Sequence, residues 1–140
     1  MDASSRRTAL AMWAAAHEKL GAARLLLSEN HCGDSLSRSY YAAFHGVSLL
    51  FFLYGKSFSR HSALIGAFNK DFVFSGIFPQ DVGKALSALF AARQAGDYDV
   101  FQSSDRDEAI RGIRDAESIL VAIAEHCLNE FALKLPEMTR

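Results

Sequence analysis

The stretch that leaves this chain the fewest ways to fold runs from Asp34 to Tyr54, DSLSRSYYAAFHGVSLLFFLY. Gly33 and Asp34 supply a break and a capping oxygen ahead of it, and Gly55 supplies a stop behind it. Between them Leu36, Tyr40, Ala43, Val47, Leu50 and Tyr54 recur at three- and four-residue steps, which predicts one helix with a buried apolar stripe. On another side of the same cylinder Arg38, Tyr41, His45 and Ser48 form a row of guanidinium, phenol, imidazole and hydroxyl. Arg38 and His45 are nearly two turns apart, so they project in almost the same direction about 10 Å apart along the axis. A polar row cut into an apolar helix must face water, a ligand or a partner that satisfies it.

The remaining segments read as helices of the same kind. Ser4 or Ser5 is the expected cap of a first helix reaching about Glu29, with Leu10, Trp13, His17, Leu20, Arg24 and Leu27 as its periodic line. Ala9, Met12, Ala16 and Ala23 widen that line with small residues that let a neighbour approach closely. A short turn over Asn30–Gly33 brings the second helix back antiparallel to the first. Ser57 or Ser59 is the expected cap of a shorter third helix carrying Leu64, Ile65, Phe68 and Phe72. Gly76 permits a left-handed residue in the break that follows, and Pro79 suits the first turn of a fourth helix with Val82, Leu86, Leu89 and Phe90, ending near Gly96. Ser103 or Ser104, followed by Asp105, Asp107 and Glu108, opens a fifth helix with Ile113, Ala116, Leu120, Ile123 and Cys127 inside. Arg111, Arg114, Asp115 and Glu117 read as its solvated face. The expected fold is all-α, an up-and-down bundle of about five helices, with residues 1–132 as a single domain and 133–140 as a frayed tail.

Composition narrows the function classes. Half of the 140 residues are hydrophobic and only two are proline, which suits a helical core and argues against disorder. The formal net charge of −1 gives no global pull toward a polyanion, so any nucleic-acid contact has to be a local patch. No apolar run approaches the roughly 18 residues of a membrane span, and the polar start Met1–Arg7 does not resemble a secretory signal, so a cytoplasmic location is expected. Cys32 and Cys127 are isolated and read as free thiols. The five histidines are scattered without metal-ligand spacing, so neither a metal nor a cofactor is expected.

The phrase SRSYYAAFH, Ser37 to His45, resembles the signature helix of the HEPN domain family. The likeness continues through Gly55 to Phe68, GKSFSRHSALIGAF, where a Gly-Lys turn leads to a His-Ser helix start, and through Ala92-Arg93 with Asp97-Tyr98, similar to the family's R…DY segment. The resemblance implies a small helical bundle, in many members paired with a minimal nucleotidyltransferase. It also implies a metal-independent endoribonuclease whose arginine and histidine are separated by about four to six residues; Arg38 and His45, with six between them, match as the catalytic pair. The position after the arginine, commonly Asn, Asp or His in active members, is Ser39. Two positions beyond the histidine, where antitoxin-regulated relatives carry a tyrosine that accepts a nucleotide, stands Val47, so that mode of control does not carry over.

A neutral imidazole titrating near pH 7 suits a base that takes a 2′-OH proton, and a guanidinium suits the charge that develops on a phosphate. One Arg and one His too far apart for a single phosphate make half a site; the resemblance implies that relatives complete it by dimerising so that two copies of the motif line one cleft, and a homodimer is expected here. Tyr41, Ser39, Ser48, His61 and Arg93 are the expected substrate-binding residues, with Lys56 and Arg60 as further rim charges. The substrate that the resemblance implies is RNA or a nucleotide. Two other readings stand beside the nuclease: a non-catalytic subunit that presents substrate to a separately encoded minimal nucleotidyltransferase, and a helical oligomerisation module whose polar row sets dimer register. For His45 alone the plain alternative is a histidine hydrogen-bonded inside the bundle, and for Arg38 a surface ion pair.

Overall fold

The computed structural model of the chain describes residues 1–98 and 105–137. Among these, five helices account for the architecture: α1 Ala3–Ser28, α2 Cys32–Leu53, α3 His61–Phe68, α4 Gln80–Tyr98 and α5 Arg106–Phe131, with α3 continuing into a π-helical turn over Asn69–Val73. No strand occurs among the described residues, and the fold is an all-α helical bundle. No helix in the described residues is long and apolar enough to cross a membrane.

α2 sits at the centre, in contact with α1, α3, α4 and α5. Its sequence explains the position. Leu36, Tyr40, Ala43, Val47 and Leu50 are buried as their spacing requires, and Ser35, Ser39, Ala42, Gly46, Leu49 and Phe51 extend the buried surface around the cylinder. At Gly46 a β-carbon would overlap the side chain of Leu120, and at Gly112 it would come within 2.5 Å of Leu36 Cδ1. These two glycines let α2 and α5 approach more closely than any side chain permits. Tyr54 leaves the stripe: it lies past the last helical residue, is 43% exposed, and pairs its hydroxyl with His126 Nε2 at 2.8 Å.

Three helix starts differ from the expected caps. α1 is capped by Asp2, whose carboxylate accepts from the Ser5 amide at 2.7 Å, and not by Ser4 or Ser5. α2 begins at Cys32, ahead of Asp34, because the Ser35 hydroxyl donates to the Ala23 carbonyl at 2.7 Å and ties the first turn of α2 to α1. α3 starts after Arg60 with no side-chain cap, so neither Ser57 nor Ser59 fills that role. At α5 the cap is Asp105, which accepts from the Glu108 amide at 2.7 Å; Ser103 and Ser104 lie outside the described residues. Gly55 and Gly76 take φ of 75° and 86° where the sequence calls for turns.

In α1 the buried line is Ala9, Trp13, Ala16, Leu20 and Ala23, so the alanines expected at the margin are the centre of the face. His17, Arg24 and Leu27 flank it half-buried. All five expected core residues of α5 are buried, Cys127 among them, and both cysteines are free thiols. Glu117 is not simply solvated: its carboxylate pairs with Arg24 at 3.1 Å. The segment after α5 also departs from expectation. Ala132 turns left-handed at φ 50°, Leu133 and Leu135 are buried, and the Trp13 indole donates to the Pro136 carbonyl at 2.8 Å. Residues 133–136 therefore close the core beside α1, so this part of the expected tail is docked and not frayed, while 138–140 lie outside the described residues.

Candidate functional site

The polar row of α2 opens onto a cleft of about 590 Å³ lined by Lys19, Leu26, Asp34, Ser37, Arg38, Tyr41, Phe44 and His45. The floor is α2 and one wall is α1, which contributes Lys19 and Leu26. Arg38 is exposed at one end, while Tyr41 and His45 are half-buried further along. Burial, and after it the Lys19 ammonium, hold the His45 imidazole below its ordinary value of 6.5. At neutral pH it is therefore uncharged and can accept a proton.

Behind this row lies an aromatic and cationic layer. The Phe44 ring stands edge-on to His45 at 6.1 Å and lies 4.2 Å from the His61 ring, centroid to centroid. His61, the first residue of α3, shares a 2.9 Å hydrogen bond between its Nδ1 and the hydroxyl of fully buried Tyr40. Desolvation raises the Tyr40 phenol to about 12, so it keeps its proton. His61 is also held below its ordinary value, first by burial and then by Arg93. Arg93, from α4, donates from Nη2 to the Tyr41 phenol oxygen at 2.8 Å.

Of the residues singled out from sequence, Arg38, Tyr41 and His45 come together on the cleft. His61 and Arg93 reach the same aromatic layer from outside the cleft lining, and Arg93 is directed at Tyr41. Ser48 is half-buried and outside the cleft lining. Ser39 is corrected most plainly: it is fully buried, a Cβ placed on Gly112 would lie 3.7 Å from its own, and its hydroxyl has no hydrogen-bond partner. It faces α5 and cannot touch a substrate. Lys56 is engaged with Asp71 at 3.4 Å, away from the cleft. The side chains of Asp97 and Tyr98 lie outside the described residues. Sequence reasoning did not pick out Lys19, Asp34 or Phe44 as site residues. Phe44 is adjacent to the motif histidine and was legible as an aromatic on the row's flank, whereas Lys19 comes from another helix and carries no signal until the two helices are docked. Among the described residues no group of three His, Cys, Asp or Glu side chains is placed to hold a metal ion.

On a bundle built around one central helix the cleft therefore gathers two cations, Lys19 and Arg38, one carboxylate, Asp34, and the His45 imidazole. Residues 9–127 match the model of the HEPN domain, and the chain belongs to that family. It is 38% identical over 108 residues to a "UPF0332 protein" of Thermotoga maritima, covering 77% of this chain and 82% of the relative. It is 39% identical over 70 residues to a second UPF0332 protein, of Pyrococcus horikoshii, covering 50% and 49% of the two chains. A protein of Methanocaldococcus jannaschii named "Putative toxin" is 28% identical over 102 residues, covering 73% of this chain and 75% of the relative.

Proposed function

We propose that this protein is a metal-independent endoribonuclease of toxin type, acting in the cytoplasm as a homodimer in which two copies of Arg38 and His45 line one composite cleft. The observation that carries the reading is that both side chains line a single open cleft with Tyr41 between them in the row and Lys19 beside them. A guanidinium and an ammonium supply the charge that attracts and neutralises a phosphodiester. The depressed His45 imidazole supplies the base. In the reaction, His45 takes the 2′-OH proton, the 2′-oxygen attacks phosphorus, and the bond to the 5′-oxygen breaks. The leaving oxygen takes its proton from the imidazolium so formed, while the arginines neutralise the phosphate, giving a 2′,3′-cyclic phosphate and a 5′-hydroxyl. Membership of the HEPN family and the toxin name carried by the relative from Methanocaldococcus jannaschii support this reading.

One observation favours a second reading. Ser39, beside the arginine, is sealed against α5, so the polar group that active members offer at this position is missing from the cleft. A cleft that binds RNA or a nucleotide without cutting it suits a substrate-binding subunit of a separately encoded minimal nucleotidyltransferase. Incubating purified protein with mixed RNA in EDTA, beside Arg38→Ala and His45→Ala, separates the two. Cleavage by wild type that is lost in both variants supports the nuclease. RNA left intact by wild type free of copurified protein overturns it in favour of the binding subunit.

A further inference from the structure

Tyr41 stands in the row between Arg38 and His45 and lines the cleft, yet its phenol oxygen accepts a hydrogen bond from the opposite side, from Arg93 Nη2 at 2.8 Å. The guanidinium also packs on the rings: its carbon lies 4.9 Å from the Tyr41 centroid and 5.4 Å from that of Tyr40. Tyr40 is fully buried and meets Tyr41 edge-on at 5.3 Å, so the Tyr41 ring is held on two sides. A guanidinium offers five donors and no acceptor. In this pair the phenol oxygen can only accept, and its own proton must point away from Arg93. Among the described residues nothing accepts that proton.

We propose that Arg93 is a positioning residue that turns Tyr41 into a fixed hydrogen-bond donor for a non-bridging oxygen of the RNA phosphate bound between Arg38 and His45. The inference rests on the reading of the cleft as a phosphodiester site. It assigns Arg93 no contact with RNA: its cation polarises the phenol and fixes the rotor, and the phenol meets the phosphate. Polarisation along a donor chain strengthens the terminal bond, and a donor already oriented loses less freedom when the substrate arrives.

The test is a double-mutant cycle on Tyr41→Phe and Arg93→Ala, with Arg93→Lys as the milder variant. It is read twice: as single-turnover cleavage of an RNA oligonucleotide, and as the dissociation constant of the same oligonucleotide carrying 2′-O-methyl groups throughout, which blocks internal attack. Loss of a hydrogen bond to a charged phosphate lowers cleavage about 10- to 100-fold in Tyr41→Phe. Arg93→Ala is expected to lose a similar amount, and the double variant no more than Tyr41→Phe alone. Arg93→Lys, which keeps one donor and the charge but not the planar stack, is expected to fall between. Losses that multiply in the double variant overturn the proposal while leaving the nuclease reading intact. If wild type binds the blocked oligonucleotide without ever cutting RNA, the nuclease reading fails and the same cycle on affinity decides the positioning role. If it neither cuts nor binds, both fall. Thermal melts of each variant separate a folding defect from a site effect, and Arg93→Lys serves the cycle if Arg93→Ala does not fold.

Discussion

His45 carries the account at the level of single residues, and its environment makes its titration informative. Burial and then Lys19 hold it below 6.5, so the acid limb of kcat/KM for RNA cleavage is expected below pH 6.5 and not above it, measured on the free enzyme at subsaturating RNA. His17 and His61 are lowered as well, burial being the main cause in each. A histidine with a depressed folded value binds fewer protons folded than unfolded. Its contribution to stability is complete above the unfolded value and is lost as pH falls through the folded one. The melting temperature is therefore expected to hold near neutral pH and to fall from about pH 6.5 downward. A melting temperature that rises on acidification from neutral would contradict the assignment. Ser39 gives a second residue-scale expectation. Its hydroxyl is buried without a partner, so Ser39→Ala removes an unmet polar group and is expected to be neutral or stabilising by up to about 2 kcal/mol, with RNA cleavage retained. A loss of activity in a normally folded Ser39→Ala protein would show that the hydroxyl reaches the chemistry after all. The row itself was legible from sequence because i, i+3 and i+4 positions share a face whatever the tertiary fold does. The inward turn of Ser39 was not, because the position next to a motif residue is defined only when the neighbouring helix is known.

Among the elements, the docking of α2 against α5 and α1 sets where the row faces. Gly46 follows His45 directly and lies against Leu120, which is itself fully buried and has no room to swing aside. Gly46→Val is expected to destabilise the fold by about 1–3 kcal/mol through overpacking. Gly21→Ala, where a methyl meets nothing within 4 Å, is expected to stabilise by about 0.5–1 kcal/mol through helix propensity. Denaturant midpoints of the two variants check both signs, and a shift in the same direction for both would refute the packing argument. α2 was legible because its large apolar residues sit at regular steps. α1 was legible as a helix but misread by one position around its circumference. Alanine adds little hydropathy, so the eye follows Leu10, His17 and Leu27, while the tightest contact runs through Ala9, Ala16 and Ala23. Helix starts were misplaced for a related reason: the bond from Ser35 to Ala23 begins α2 early, and a bond between helices leaves no local signature.

At the scale of the whole molecule the chain closes on itself more fully than its composition suggests. The segment 133–136 looks like an end beyond a helix because Pro136 and the short polar run around it interrupt the periodicity. Its two leucines nevertheless fill the core next to Trp13. Truncation after Ala132 is expected to cost several kcal/mol, each buried leucine contributing about 1.5–3 kcal/mol, and to lower the midpoint of urea unfolding accordingly. An unchanged midpoint would return the segment to the status of an appendage. The assembly is the larger question at this scale, because Arg38 and His45 are spread along one helix and one copy offers one of each. The most direct measurement mixes the two disabled proteins: Arg38→Ala and His45→Ala are co-refolded, or exchanged as subunits, and RNA cleavage in EDTA is followed. A mixed dimer holds one intact arginine and one intact histidine across the shared cleft, so the mixture is expected to regain a measurable part of wild-type cleavage that neither variant has alone. A mixture as inactive as its parts, from proteins shown to form mixed dimers and beside an active wild type, would contradict the composite site.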